Sequence, residues 1–211
     1  AISTVYAINP SDLSEEGASL PDLKPLPVLP IVPGVSGSDT SDDKDEPSIV
    51  FTDVTSADWY YTEVMTLAEQ GVMTGISATE FAPDTSVSRG MLVTVLYRME
   101  NCPAAKSDVR FGDVPDGQWY TEAVLWAAEN GIVNGYGDGR FGPNDPATRE
   151  QIAAVLWRLS GAPETDADLS SYEDGAAVSE WAREAVAWCV ESGILQGMDA
   201  QHLSVGRTAT R

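Results

Sequence analysis

The sequence predicts an all-α protein made of tandem helix-loop-helix repeats, preceded by a disordered, proline-rich acidic linker. Trp59, Trp119 and Trp181 each begin a similar stretch, and they are separated by 60 and then 62 residues. Apolar residues with helical spacing follow each tryptophan, and each stripe ends at a glycine. Such internal repetition is the sequence signature of a repeat architecture.

The landmarks place three repeats at residues 48–107, 108–168 and 169–211. Arg89, Arg149 and Arg211 recur at the same intervals as the tryptophans. The third repeat stops at the arginine where its second helix should begin. We therefore expect a truncated fragment in which an apolar groove is left uncovered.

The N-terminal region differs in kind from the repeats. Residues 1–9 include a β-prone run, which predicts an end strand of an upstream domain. Residues 10–47 are rich in proline, serine and acidic residues, which is typical of an extended, solvated linker. A proline-rich signalling ligand is the alternative for this segment.

The first helix of each repeat is predicted from apolar or small residues at i, i+3 and i+4, followed by glycine. These are Val64, Leu67 and Ala68 before Gly71; Val124, Ala127 and Ala128 before Gly131; and Val186, Cys189 and Val190 before Gly193. The second helix of the first two repeats shows an i, i+3, i+4, i+7 stripe, which indicates a core-facing helix. Its members are Leu92, Val95, Leu96 and Met99, and then Ile152, Val155, Leu156 and Leu159.

The loop between the helices is clearest in the second repeat, from Gly135 to Pro143. Its clustered glycines and Asp138-Gly139 pair require positive φ angles, so a tight, exposed turn is predicted. Gly135, Tyr136 and Gly137 in this turn are candidate ligand contacts. The turn lacks the alternating acids and closing glutamate of a calcium loop.

The composition excludes several classes of function. The formal net charge is −21, from 33 acidic and 12 basic side chains. Nucleic acid and anionic lipid both require a basic surface, so neither is a predicted partner. Two cysteines and one histidine do not suffice for a Cys/His zinc site, and no nucleophile elbow is present. We therefore predict no metal, no cofactor, no membrane insertion and no catalysis.

An arginine is predicted at the first helical position of all three repeats, after a Ser or Thr N-cap. A cation is unfavourable there by a few tenths of a kcal/mol, because the helix N-terminus is already positive. Free backbone N–H groups and a guanidinium together suit a carboxylate or phosphate. The alternative is internal pairing of each arginine with an acid from the sequence Phe/Tyr-x-Asp that precedes the tryptophan. These acids are Asp53, Asp113 and Asp174.

The motifs taken together resemble the S-layer homology domain. They are Phe-x-Asp-Val, Trp-Tyr, Gly-Ile/Val, Gly-x-Gly-Asp-Gly-x-Phe-x-Pro and Thr-Arg-Glu, and they run from Phe51 to Arg211. The resemblance implies a pseudo-threefold bundle of helix pairs. It also implies that pyruvylated secondary cell wall polymers of Gram-positive bacteria bind in grooves between the repeats. Arg149, Arg89 and Arg211 are then the candidates for the ketal carboxylate.

The implied function is non-covalent anchoring of a secreted protein in the cell wall, outside the cell. Asp113, Asp53 and Asp174 are candidate contacts to sugar hydroxyls, although turn formation is their commoner role. The tryptophans are expected in the core or in a groove wall. The alternative function is a protein-interaction or S-layer assembly module, with an enzymatic or adhesive domain upstream.

Overall fold

A computed structural model of the 211-residue chain describes residues 49–106 and 108–211. The predicted strand at residues 1–9 and the predicted linker at residues 10–47 therefore both lie outside the described residues. The described chain contains five α-helices and no strand. The helices are α1 (Tyr61–Glu69), α2 (Arg89–Met99), α3 (Thr121–Glu129), α4 (Arg149–Leu159) and α5 (Arg183–Glu191).

The helix starts follow from their capping residues. The Ser88 side chain accepts a hydrogen bond from the N–H of Met91, so α2 begins at Arg89. Thr148 and Gln151 form a capping box, so α4 begins at Arg149. Gly131 follows α3 with φ of +68°, a conformation that glycine adopts without steric cost. The caps predicted at Ser88 and Thr148 and the three glycine stops are confirmed, whereas Thr210 and Arg211 lie outside the described helices.

The chain divides into two compact units, Ala1–Pro83 and Asp84–Arg211. The described part of the first unit contains α1 and a small core of buried residues. They are Phe51, Val54, Val64, Ala68 and Phe81. The rings of Phe51 and Phe81 lie 5.4 Å apart between centroids, and Phe81 is fully buried. The core thus joins the start of the repeat to its loop.

In the second unit the helices pair across the repeat boundaries. Helix α2, which ends the first repeat, packs against α3 of the second, and α4 packs against α5 of the third. Val124 of α3 and Val186 of α5 are both fully buried in these pairs. The apolar face of α5 is therefore covered by α4, although the third repeat was expected to leave a groove open.

Three isolated β-bridges tie the chain together just before its second helices. They join Ser86 to Thr210, Ser88 to Pro146, and Thr148 to Thr208. The two N-caps and the end of the third repeat thus meet at one junction within the second unit. Before α5 the chain forms two 3₁₀ turns, Gly175–Ala177 and Glu180–Ala182. Among the described residues, no helix is both long enough and apolar enough to span a membrane.

Candidate functional site

Each repeat uses its early aspartate to hold the loop between its helices. The Asp113 carboxylate accepts hydrogen bonds from the N–H groups of Phe141 (2.8 Å) and Gly142 (2.7 Å). Asp174 does the same for Leu203 and Ser204. Burial raises the pKa of Asp113, but the two backbone hydrogen bonds outweigh it, so the pKa lies below its ordinary value. The aspartates thus fix the loop around its buried anchor, which is Phe141 or Leu203.

Asp53 holds the first loop in the same way, within the other compact unit. Its carboxylate accepts from the N–H groups of Phe81 (2.9 Å) and Ala82 (2.6 Å). All three aspartates that were candidate ligands therefore bind the backbone of their own loops. This is the turn-forming role that the sequence also predicted for them.

The loop of the second repeat is the tight turn expected from its glycines. Gly135, Gly137, Gly139 and Gly142 all have positive φ. A Cβ on Gly135 would lie only 2.6 Å from the carbonyl oxygen of Arg140 and 2.7 Å from the Phe111 ring. Gly135 therefore lets the chain pass close to its own loop and present Tyr136 at the surface.

Arg89 projects into this second-repeat loop from the start of α2. Its Nε donates to the Phe141 carbonyl at 2.8 Å, and its Cζ lies 4.7 Å from the ring centroids of both Tyr136 and Phe141. The aromatic faces attract the guanidinium and keep its plane in place. Burial lowers the pKa of Arg89 from its ordinary value, and nearby Tyr136 and Asp145 partly offset this. The side chain remains a cation, because arginine is not deprotonated in proteins.

The Nη atoms of Arg89 have no acceptor among the described residues. Its side-chain hydrogen bond runs from Nε, and no acid lies within ion-pair distance of it. Asp145, which lies nearby, accepts instead from the Tyr136 hydroxyl at 2.9 Å. This bond fixes the ring under the guanidinium and leaves the outer N–H groups for a ligand.

A cavity of about 500 Å³ opens beside Arg89. Ten residues line it: Arg89, Val133, Asn134, Gly135, Tyr136, Gln151, Ala154, Val155, Arg158 and Trp181. Among them are two arginines and no acidic residue, in a chain that carries 33 acids. The side chains of Tyr136 and Trp181 are 43% and 54% exposed. The cavity thus combines cations, amide groups and exposed aromatic faces, a lining suited to an anionic, hydroxyl-rich ligand.

One wall of the cavity is a face of α4 of which the sequence pattern predicted only Val155. Gln151, Ala154, Val155 and Arg158 are spaced i, i+3, i+4 and i+7, so they share one side of the helix. The core stripe on the same helix drew attention to Ile152 and its partners instead. The sequence did contain a signal for this face, because the same helical spacing begins at Gln151 and ends at Arg158, both of which are polar.

Trp181 is held at the cavity by the chain before α5. Ser179 donates its N–H and its hydroxyl to the two carboxylate oxygens of Glu150, at 3.2 and 3.0 Å. Trp59 and Trp119, at the corresponding positions, are also more than half exposed, at 52% and 56%. The tryptophans thus lie at the surface, and Trp181 forms part of a groove wall.

Arg149 begins its helix as Arg89 does, but its guanidinium donates two hydrogen bonds to the protein where that of Arg89 donates one. Its Nε donates to the Leu203 carbonyl at 3.1 Å, and one Nη donates to the Gln196 carbonyl. Within the described part of the chain no aromatic ring lies against it, because Met198 and Leu203 occupy the positions that Tyr136 and Phe141 have in the second loop. Burial lowers its pKa first, and Arg207 adds to that effect. Arg149 thus ties down the third loop.

The sequence predicts free backbone N–H groups at the starts of α2 and α4. In the structure the N–H groups of Arg89, Gly90 and Arg149 there are bonded to carbonyl groups. Arg89 N–H donates to Asp145 and Gly90 N–H to Pro143, both at 2.9 Å to the carbonyl oxygens. Arg149 N–H likewise donates to the Arg207 carbonyl. The next repeat supplies these acceptors because its loop runs across the helix end. An anion must therefore be bound by the side chains.

Internal Arg–Asp pairing is not found for Arg89 or Arg149 either. Among the described residues, neither guanidinium lies within 4.0 Å of a carboxylate oxygen, since the aspartates are taken by loop N–H groups. Arg211 is half-buried at the end of the chain, and its N–H donates to the Thr85 carbonyl at 3.0 Å. Gly137 lies exposed at the tip of the second loop.

The histidine, the cysteines and the acidic residues of the described chain form no metal site. Within residues 49–106 and 108–211, no group of three or more metal-ligating side chains is present. Cys102 is exposed and Cys189 is buried, and both are free thiols. His202 contacts Asp199 at 2.9 Å on the surface of the third loop.

The model of the S-layer homology domain matches the chain at residues 50–90, 110–153 and 171–211. An endoglucanase of Bacillus sp. (strain KSM-635) is 33% identical over 165 residues, which are 76% of the chain and 17% of that protein. The surface-layer 125 kDa protein of Lysinibacillus sphaericus is 31% identical over 65% of the chain and 12% of its own length. The S-layer protein of Bacillus thuringiensis subsp. finitimus is 28% identical over 76% of the chain and 20% of its own length. The chain thus spans a fifth or less of these relatives.

Proposed function

Because this chain belongs to the S-layer homology domain family, we propose that it anchors a larger secreted protein by binding an anionic glycan beside Arg89. The family and its surface-layer relatives place the chain at the bacterial cell surface, as an anchoring segment. The matched region is of the S-layer homology type and is not catalytic. The finer proposal concerns the ligand, a pyruvylated secondary cell wall polymer.

The observation that carries the proposal is the guanidinium of Arg89. It is held by Nε and by two aromatic rings, and its Nη atoms are left for a ligand in a cavity without acids. A fixed guanidinium fork binds a carboxylate with two parallel hydrogen bonds. A ketal carboxylate on a sugar has that geometry, and the neighbouring hydroxyls suit Asn134 and Gln151.

Arg89 takes precedence over Arg149 in this proposal. Sequence motifs favoured Arg149, since Thr148-Arg149-Glu150 follows the family pattern more closely than Ser88-Arg89-Gly90. Arg149, however, already donates to two carbonyl groups of the third loop. It contributes to binding mainly by holding that loop, and a ligand there has one Nη fewer to bind.

Weak single sites suffice for an anchor when the ligand is a polymer. A charged hydrogen bond contributes about 1.5 to 3 kcal/mol. Several such sites on one repetitive chain can raise avidity about 10² to 10⁴-fold. The upstream part of the protein would then be held at the wall without a covalent bond.

The test is sedimentation of the protein with cell-wall sacculi before and after acid extraction of the secondary polymer. Wild-type protein should pellet with intact sacculi and remain in solution with extracted ones. Arg89→Gln should reduce binding about tenfold or more. Arg110→Gln removes an exposed positive charge outside the cavity and is the matched control. Equal pelleting after extraction, or of the Arg89 variant, would refute the proposal.

Assembly with other surface proteins is the second candidate function, and the exposed tryptophans favour it. Trp59, Trp119 and Trp181 are each more than half exposed, and aromatic side chains are enriched at protein interfaces. This function predicts concentration-dependent self-association without any wall polymer. Sedimentation velocity between 1 and 100 μM (about the range of weak interfaces) should then show a rising mass. A constant monomer mass would argue against self-assembly through these rings.

A further inference from the structure

A second cation, Arg158, lies in the same cavity as Arg89, and the proposed function assigns it no role. Arg158 is half-buried near the C-terminal end of α4. Among the described residues its guanidinium makes one hydrogen bond, from Nη1 to the Ile132 carbonyl at a long 3.4 Å. No carboxylate lies within 4.0 Å of its guanidinium among the described residues. Most of its donors are therefore open to a ligand.

The two arginines stand towards opposite ends of the cavity. Arg89 is near the start of α4, because a β-bridge joins Ser88 to Pro146, two residues before the N-cap Thr148. Arg158 is in the last turn of the same helix. Between Gln151 and Arg158 the helix rises by about 10 Å, at roughly 1.5 Å per residue. The loop from Ile132 to Tyr136 runs along the same path, from the Arg158 contact to the Arg89 contact.

The helix dipole explains why an arginine is found at position 158, but it does not explain why that arginine lines the cavity. A cation in the last turn is favoured by the helix dipole, and Arg98 occupies the same place in α2. The dipole does not account for the wall that Arg158 shares with Gln151, Ala154 and Val155. That wall leads from one guanidinium to the other without an acid.

We propose that Arg158 forms a second anion contact, so that the cavity binds a glycan segment of at least two sugar residues with an acidic group at each end. This inference rests on the proposed function and specifies its ligand. A cavity of about 500 Å³ is within the range that encloses drug-sized ligands. Trp181 and Tyr136 line the same cavity and are partly exposed, so sugar rings can pack against them.

The experiment measures the affinity for two synthetic glycosides by titration calorimetry. One is a pyruvyl-ketal N-acetylhexosamine with a single carboxylate, and the other is its disaccharide with two carboxylates. Wild type and Arg110→Gln should bind the disaccharide about tenfold or more tightly than the monosaccharide, as expected for one additional charged contact. Arg158→Gln should reduce this preference to less than about twofold, because it removes the second charged contact that only the disaccharide can add to the first. Arg158→Lys should restore part of the preference.

The outcomes separate the two proposals. If wild type binds both glycosides equally, or if Arg158→Gln keeps the disaccharide preference, the second contact is refuted and the anchoring proposal stands. If Arg158→Gln weakens both glycosides equally, Arg158 supports the cavity only structurally, and the inference is again refuted. If wild type binds neither glycoside, the pyruvylated ligand itself is refuted, and the inference falls with it. Circular dichroism of each variant confirms that it is folded.

Discussion

Replacing Asp113 with asparagine should destabilise the second unit, because this carboxylate holds the loop from beneath. It accepts from the N–H groups of Phe141 and Gly142 at 2.8 and 2.7 Å. Asparagine has the same shape but only one acceptor oxygen, so its NH₂ group would face one of these donors. The variant thus loses one charge-assisted bond, weakens the other and leaves a donor beside a buried residue without a partner.

The expected loss follows from these two bonds. Hydrogen bonds to charged groups contribute about 1.5 to 3 kcal/mol each, and an unsatisfied buried donor costs about 1 to 3 kcal/mol. Since asparagine keeps one of the two acceptors, we expect the free energy of unfolding to fall by about 2 to 3 kcal/mol. For a protein of this size the midpoint of thermal unfolding should fall by about 4 to 12 °C.

The assay is urea unfolding followed by tryptophan fluorescence, together with calorimetry. Asp116→Asn is the matched control, since Asp116 is exposed in the same segment. It should stay within about 0.5 kcal/mol of wild type. If Asp113→Asn has the wild-type urea midpoint, the hydrogen bonds from Asp113 to the loop do not stabilise the fold, and the reasoning is refuted.

The difference in stability between wild type and Asp113→Asn should depend on pH. The folded pKa of Asp113 lies below its ordinary value, so its contribution is complete above the unfolded pKa of about 3.9. It is lost as the pH falls through the folded pKa. The difference in the free energy of unfolding between wild type and Asp113→Asn should therefore narrow below about pH 4. A constant difference from pH 7 to pH 2 would contradict this.

Three further predictions concern the loop and the core. Gly135→Ala should lose more than about 2 kcal/mol of stability, because its Cβ would lie 2.6 Å from a backbone oxygen. Gly137→Ala has open space around its Cβ and should lose only about 1 kcal/mol. Equal urea midpoints for the two variants would contradict this. Phe141→Ala should cost about 3 to 5 kcal/mol, because the ring is fully buried, and a smaller loss in calorimetry would mean that the site collapses. In native protein the exposed Cys102 should react with a thiol reagent. Cys189 is buried and its pKa is raised to about 12, so it should react only on unfolding. Label found on both cysteines of the native protein by mass spectrometry would contradict this.

The helices and their starts could be predicted from the sequence because these features are local. The Ser88 and Thr148 caps and the glycine stop at Gly131 act within one turn of the chain, and the structure confirms all three. The periodicity of α4 identified Val155 as buried and Leu156 and Leu159 as packed against the core. Ile152, however, is only half-buried, and Ala153 and Ala154 are buried instead. The stripe also did not reveal which helix covers α4. The pairing across repeats therefore had to come from the structure.

The candidate site was predicted only in part, for a similar reason. Arg89 and Tyr136 were recognised from spacing and turn chemistry. The Nη atoms of Arg89 are left for a ligand, whereas one Nη of Arg149 donates to a carbonyl group. This difference depends on which carbonyl groups the following loop presents, and that is not visible in the local sequence. Arg158 was missed because a helical arginine in a last turn is ordinary until the opposite wall is known.

The junction of β-bridges before the second helices has a consequence for folding kinetics. It joins Ser86 to Thr210, segments far apart in sequence, whereas α2 with α3 and α4 with α5 are near neighbours. Closing a long stretch of chain is entropically costly, so we expect the helix pairs to form first and the junction to close after the folding transition state. Contacts that form late slow unfolding more than they speed folding. A protein exposed outside the cell would thus gain a long native lifetime from a few bridges.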